Sequence, residues 1–432
     1  MLERILRAVE RFIPKRTYRF FQPAYHFFLA LFGAIVFRFP SRKLTVIMVT
    51  GTKGKTSTAE LLNNIFEANG WKVALLGTLR FKIGETSERN MRKMTIPGRF
   101  FVERFLRRAV DAGCTHAIIE MTSEGARQYR HRFIDMDALI FTNLAPEHIE
   151  SHGSYEKYRD AKLSIARSLA RSSKSRRFMV ANADDKEGEK FASIPDVTPI
   201  SFRLTDGEPI IADERHVELT FRGMRINSLL PGIFNAYNIL AAAMCASMFG
   251  VQPNVIAAGV ARTPRIEGRM ERIEAGQSFP VIVDYAHTPD SLEAVYKTFP
   301  NHQKICVLGN TGGGRDAWKR GVMGGIADTY CAHIILTNED SYDEDPQKIL
   351  DEMKAGFKKQ TPEIILDRRL AIRRALELAC GELVESAKET KNVAVLITGK
   401  GTDPYIMGPN GTKEPWDDRV VAREELQKLL GA

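Results

Sequence analysis

Residues 45–50 are apolar and β-branched, residues 59–69 place apolar positions at helical spacing, and a Gly-rich turn joins the two. The alternation continues down the chain. Residues 72–76, 117–121 and 138–143 are short runs of buried type, and residues 100–112 form a helical pattern with basic outer positions. Strands that alternate with helices predict an α/β fold with a doubly wound, mostly parallel sheet, whose ligands gather at the strand C-termini. Between residues 178 and 230, short runs such as 217–221 and 226–230 alternate every second residue, with charged turns between them. They predict a small antiparallel sheet on the same domain. An Ala-rich helix is expected at 238–249, opened by Asn235 and Asn238, whose bland role is capping. Beyond Gly268–Glu271, which reads as a linker, runs at 280–284, 304–308, 333–337 and 393–398 alternate with helices and predict a second, Rossmann-like sheet. The expected organisation is an arm at 1–43, a central domain at 44–265 and a C-terminal domain at 266–432.

The arm has its own pattern. Leu2, Ile5, Leu6, Val9 and Ile13 recur near helical spacing with Arg4, Arg7 and Arg11 opposite, and Pro14 ends the run. Residues 25–39 are apolar and aromatic. The uncharged stretch 20–37 is about as long as a membrane-spanning helix needs, though Gln22, Pro23 and His26 interrupt it. Three readings follow: a helix packed on the body of the protein, a peripheral contact with a membrane surface, or a spanning helix.

Charge sharpens the picture. The net charge is +9, and residues 1–43 hold nine Lys/Arg against two Glu, so the rest of the chain is nearly balanced. The excess belongs to the arm, and no nucleic-acid partner is expected. Five scattered cysteines (Cys114, Cys245, Cys306, Cys331, Cys380) form no Cys-x-x-Cys pair. That predicts a reducing compartment, with neither a zinc site nor a disulfide framework. No cleavable signal peptide is evident, so a cytoplasmic location is expected, at the inner face of the membrane if the arm docks there.

The turn after residue 50 carries the first chemistry. Gly51, Thr52, Lys53, Gly54, Lys55, Thr56 and Ser57 place two glycines, a lysine and hydroxyls between a strand and a helix N-terminus. Glycines let backbone amides face an anion, Lys55 supplies charge, and the Thr56 hydroxyl suits a magnesium ion. The spacing is tighter than in the standard phosphate loop, since Val49 stands at the first glycine position. Glu120 and His148 follow later strands and would meet the loop at the same sheet edge, as a magnesium site beside ATP phosphates.

Several ordered motifs then point one way. They are residues 51–58, Thr95-Ile96-Pro97-Gly98, Glu120-Met121-Thr122-Ser123-Glu124-Gly125, the stretch 141–162, and residues 232–238, 268–271, 283–292, 309–320, 399–401 and 416–419. Together they resemble the Mur ligase family, closest to its muramyl-tripeptide synthetases, from about residue 44 to the end. The resemblance implies a P-loop-type central ATPase domain and a C-terminal domain that closes over ATP and selects an amino acid. It implies an ATP-dependent ligase that phosphorylates a carboxylate and passes the acyl group to an amine. Lys55 would hold phosphates, with Thr56 and Glu120 on one Mg2+ and His148 on a second. Lys162 matches a lysine carried as a carbamate. Asn235 and Asn238 would contact adenine, and Arg269 and Asp284 phosphate and ribose. Thr95, Ser123 and His152 would meet the nucleotide-sugar peptide, while Arg315, Glu339, Asp340, Tyr342, Gly399 and Asp403 would surround the amino acid. A monomer is expected.

Two departures stand out. Diaminopimelate-adding members carry an Asp-Asn-Pro-Arg box, whereas this chain has Glu339-Asp340-Ser341-Tyr342, with Tyr342 where the arginine would stand. Asp403 replaces the glutamate that holds the distal ammonium. Losing a bidentate arginine is not conservative. Diaminopimelate, lysine or a similar amino acid all stay open, and Asp343, Glu344 and Asp345 favour a cationic one. The typical N-terminal domain for the uridine diphosphate portion is also not matched, and only the arm precedes residue 44. A folylpolyglutamate- or cyanophycin-type ligase and a membrane-associated nucleotide-binding scaffold are the competing functions.

Overall fold

The computed structural model describes residues 15–385 and 392–431. The amphipathic stretch expected at 2–12 lies outside them.

The central sheet has eight strands in the order β4-β3-β2-β5-β1-β6-β7-β8. These are β1 (Thr45–Thr50), β2 (Val73–Leu76), β3 (Arg80–Ile83), β4 (Thr86–Arg89), β5 (His116–Glu120), β6 (Ala138–Phe141), β7 (Phe178–Asn182) and β8 (Thr198–Phe202). Strand β3 pairs antiparallel with both β2 and β4, and the remaining pairings are parallel. Strand β1 lies between β5 and β6, with Val46, Ile47, Met48 and Val49 fully buried. Each such side chain contributes roughly 1.5–3 kcal/mol on leaving water. Helices cover both faces, one core forming around helices Lys55–Ala68 and Ile233–Met248 and the other around Arg99–Asp111 and Tyr155–Ala170. The expected antiparallel sheet is smaller than predicted. Only β9 (Ile211–Ala212), β10 (Val217–Phe221) and β11 (Met224–Ser228) form it. Strand β7 joins the main sheet instead, because Met179, Val180 and Ala181 are all buried and cannot serve a sheet with one wet face.

The C-terminal sheet runs β12-β13-β17-β14-β15-β16. Its members are β12 (Glu271–Arg272), β13 (Val281–Asp284), β14 (Gln303–Leu308), β15 (His333–Leu336), β16 (Glu363–Ile364) and β17 (Val393–Thr398). A short pair, β18 (Tyr405–Met407) and β19 (Lys413–Pro415), stands apart. One expectation is overturned here. Cys306 and Cys331 form a disulfide with their Cα atoms 6.2 Å apart. Strands β14 and β15 are parallel neighbours, and Cys331 ends the helix just before β15, so the sheet brings together residues whose spacing gives no hint of pairing.

The arm helix, Lys15–Val36, runs straight through Pro23. Ala30 and Ala34 are buried and small enough for close approach, and Gly33 lies against Phe100 and Glu103 of helix Arg99–Asp111. Phe32 meets Phe100, Phe27 meets Phe133, and His26 Nδ1 lies 2.5 Å from the Arg99 guanidinium. The packed reading therefore holds. Among the described residues no helix is long and apolar enough to cross a membrane, so the spanning reading has no support there. The helix keeps an open apolar surface, with Phe28 65%, Ile35 54% and Val36 48% exposed, and Phe32 53% exposed at its edge beside Phe100.

Candidate functional site

The turn after β1 is shaped by what a side chain would strike. A Cβ on Gly51 would fall 1.9 Å from Thr142 Oγ1, and one on Gly54 (φ +80°) would fall 2.3 Å from Asn238 Oδ1. Both positions admit glycine alone. The amides that follow open helix Lys55–Ala68 and face a cavity of about 600 Å³ between the two domains. The loop is held from outside. Lys53 N donates to Asn143 Oδ1 (2.9 Å), and the Thr52 hydroxyl lies 2.9 Å from Tyr158 Oη. Lys55 Nζ donates to Gly51 O (3.0 Å) and Thr52 O (2.9 Å). Burial lowers its pKa to about 8.

Glu120 sits beside the loop as expected. Its carboxylate accepts from Thr56 Oγ1 (2.9 Å), Thr78 N (2.7 Å) and Thr78 Oγ1 (2.9 Å). Thr95 reaches the same cluster through Thr78, 3.0 Å away. Lys162 is fully buried behind the loop, where Nζ donates to Gly51 O at 2.7 Å and lies 4.9 Å from the Tyr158 ring centre. Burial first, then the charge of Lys55, holds this amine well below its ordinary pKa. His148 lines the cavity with a left-handed backbone (φ 57°) and a burial-lowered pKa.

Ser57 is buried in the first turn after the loop, and it lines the cavity with Thr52, Lys53, Gly54, Lys55 and Thr56. Asn235 and Asn238 lie inside helix Ile233–Met248, which begins at Ile233 behind Gly232, earlier than expected. They do not cap it. Asn235 Nδ2 donates to Pro231 O, Asn238 Nδ2 donates to Asn235 Oδ1, and Thr58 Oγ1 donates to Asn238 Oδ1 at 3.4 Å. Arg269 lies over the Tyr285 ring at 4.5 Å. Asp284 is pinned by the amides of Met270 and Ala286, both at 2.7 Å, and burial raises its pKa. Arg269 and Asp284 line the cavity. Ser123 and His152 do not. They pair with each other at 3.1 Å, and burial lowers His152 to about 4.

Residues that sequence reasoning passed over tie the domains together. Glu147 Oε1 takes Lys53 Nζ (3.3 Å) from its own domain and His287 Nε2 (3.0 Å) from the other. Burial alone would raise this carboxyl, but Lys53 and the His287 hydrogen bond outweigh it and hold it well below its usual range. Asp316 accepts from the main-chain amides of His148 (2.6 Å) and Glu150 (3.3 Å), and Glu150 Oε1 accepts from Ala317 N (3.1 Å). Arg89 reaches Asp417 (2.8 Å) and Thr402 O (2.9 Å). Glu147 and His287 both stand inside the quoted motifs, which is the only signal they gave.

At the far end, Arg315, Glu339, Asp340, Tyr342 and Asp403 line the cavity, and Gly399 (φ +109°) stands where a Cβ would meet Glu339 Oε2 at 2.5 Å. The expectation that neighbouring acids favour a cationic amino acid is corrected. Asp343 accepts from Asn410 N, Glu344 from Gly314 N and Arg320, and Asp345 caps its helix through Gln347 N. These acids serve loop structure. Nor is Asp403 available, since it already pairs with Lys400 (3.0 Å) and Lys93 (3.2 Å).

Residues 49–246 match the Mur ligase middle domain, and residues 268–401 match the Mur ligase, glutamate ligase domain. A UDP-N-acetylmuramoyl-L-alanyl-D-glutamate–2,6-diaminopimelate ligase of Syntrophomonas wolfei is 35% identical over 92% of this chain and 81% of its own length. A UDP-N-acetylmuramyl-tripeptide synthetase of Roseiflexus sp. is 36% identical over 93% and 82%. A solved UDP-N-acetylmuramoyl-L-alanyl-D-glutamate–2,6-diaminopimelate ligase superposes with a TM-score of 0.58 at 27% identity, over 90% of this chain and 79% of that one. Folylpolyglutamate synthase of Mycobacterium tuberculosis reaches 0.67 at 15% identity over 93% and 94%, a likeness of fold alone.

Proposed function

The chain belongs to the Mur ligase family, and on that footing we propose that it adds an amino acid to UDP-N-acetylmuramoyl-L-alanyl-D-glutamate, with ATP hydrolysed to ADP, in peptidoglycan synthesis. One observation carries the reading. The phosphate-loop residues and the acidic, tyrosine-bearing edge of the C-terminal domain line a single cavity.

The chemistry must bring a carboxylate against the γ-phosphate of ATP, and two anions repel. Loop amides and Lys55 neutralise the phosphates, and Lys55 would leave the carbonyls of Gly51 and Thr52 to do so. Thr56 and Glu120 fit Mg2+, which would shield both anions. They offer hard oxygen ligands 2.9 Å apart. Among the described residues no group of three His, Cys, Asp or Glu could hold a metal alone. That suits an ion shared with substrate phosphates. Arg269 and Asn238 line the cavity, which supports their proposed contacts with phosphate and adenine, and Asn235 would act through its hydrogen bond to Asn238.

Lys162 is proposed as the carbamate-bearing lysine. Burial keeps its amine toward the neutral form that can attack carbon dioxide, with loss of a proton. The arm is proposed as a peripheral contact with the membrane surface, through the open apolar face of its helix and its basic residues.

The deciding experiment supplies UDP-N-acetylmuramoyl-L-alanyl-D-glutamate, ATP and a panel of amino acids, and follows phosphate release. Release that requires both acceptor and amino acid is expected. No release with any amino acid defeats the proposal.

A further inference from the structure

One oxygen stands between the phosphate loop and the C-terminal domain. Glu147 Oε1 faces Lys53 Nζ at 3.3 Å and His287 Nε2 at 3.0 Å, in a residue only 6% exposed. Lys53 belongs to the loop, and His287 lies between β13 and helix Pro289–Lys297 of the other domain. The imidazole is firmly set by its own domain. Its Nδ1 meets Tyr285 O at 2.7 Å, and the His287 carbonyl accepts from Lys319 Nζ at 2.9 Å.

Lys53 is set differently. Its main chain is fixed, since the amide donates to Asn143 Oδ1 (2.9 Å) and the carbonyl accepts from Thr142 Oγ1 (2.6 Å). The side chain is 27% exposed and reaches Glu147 at a distance longer than a strong charge-assisted bond. The ammonium is thus the part of this residue with room to move, and it lines the cavity. Two donors on one oxygen weaken each other, because both draw on the same charge and their positive ends repel.

We infer that Glu147 is a positioning residue that couples occupation of the phosphate loop to the clasp between the domains. A phosphate at the loop draws the Lys53 ammonium away from Oε1, and the oxygen then turns wholly to His287. The inference deepens the ligase reading and rests on its nucleotide site. Its direction follows from linkage: whatever the nucleotide does for the His287 bond, that bond does equally for the nucleotide. Removing His287 therefore weakens nucleotide binding with no contact between the imidazole and the nucleotide. With glutamine at 147 the coupling disappears, since an amide oxygen does not hold an ammonium as a carboxylate does.

The test is a double-mutant cycle on the full chain, read by calorimetric titration with a non-hydrolysable ATP analogue and magnesium. His287→Ala should weaken binding about tenfold, the scale of one hydrogen bond to a charged group. In a Glu147→Gln background the same change should cost less than about twofold. A Lys53→Met background should give the same small loss, because Oε1 then belongs to His287 at all times. His287→Gln, whose amide can still donate to Oε1, should regain most of the affinity. His287→Asn, polar but too short to reach Oε1, repeats the cycle where the alanine variant does not fold. Equal losses in all three backgrounds, no loss in any, or no rescue by glutamine overturn the inference while the ligase reading stands. An unaltered protein that binds no analogue overturns both.

Discussion

Glu103 lies on helix Arg99–Asp111 beneath the arm. It is 3% exposed, its Oε2 has no partner, and burial, followed by the charge of Asp135, raises its pKa from 4.5 to about 8. Below pH 4.5 the folded and unfolded chains both hold the proton and stability is unaffected. As the pH climbs toward 8 the unfolded chain gives up its proton first, so stability falls through this window and levels off above it. The full difference corresponds to about 5 kcal/mol, at 1.36 kcal/mol per pH unit. Glu103→Gln keeps the shape and removes the titration, but it buries an unpaired amide at roughly 1–3 kcal/mol. The variant should therefore be no more stable than the original protein at pH 5 and more stable by about 2 kcal/mol at pH 8.5. That is a gain of roughly 5 °C in melting temperature for domains of this size. Calorimetric scans of both proteins from pH 5 to 9 measure it. A difference that stays flat with pH would show that Glu103 ionises freely and would refute the reasoning.

Lys162→Ala should lower kcat by about a hundredfold or more, since it removes a fixed electrostatic group at the loop, and added bicarbonate should speed only the Lys162-bearing enzyme. Near-normal turnover in the variant would dismiss the carbamate. Glu120→Gln should cut turnover by about ten- to a hundredfold and raise the magnesium concentration needed for half activity, because its cluster loses a charge; unchanged magnesium titration would place the ion elsewhere. In flotation with anionic vesicles the full chain should rise with the lipid, less so at high salt. Phe28→Glu combined with Phe32→Glu should stay below, and a full chain that never floats would remove the membrane contact.

The reach of sequence reasoning followed the distance over which each feature is encoded. The phosphate loop was legible because strand, turn and helix are contiguous, and its glycines answer to local clashes with Thr142 and Asn238. Glu120 was legible as a carboxylate ending a buried run, and it does meet Thr56. The ties across the cavity were not. Glu147 and His287 are 140 positions apart, and Lys93 and Asp340 are 247 apart, so nothing in either neighbourhood announces the partner. The acids at 343–345 misled because composition counts charges without showing that each already holds an amide or a guanidinium. Pro23 looked like an interruption, yet the arm helix continues through it because packing on helix Arg99–Asp111 outweighs one missing hydrogen bond. The disulfide escaped for the same reason as the ties, being made by sheet order alone.

The grip of Asp316 on this site falls on the main chain at positions 148 and 150, not on the imidazole of His148. Closure and chemistry are therefore assigned to different atoms of one short segment. A descendant could exchange the side chain at 148 for another ligand and keep its two halves clasped. One that lost the carboxylate at 316 would keep His148 and the phosphate loop whole, with only the Glu150–Ala317 contact left at that corner to draw the halves together.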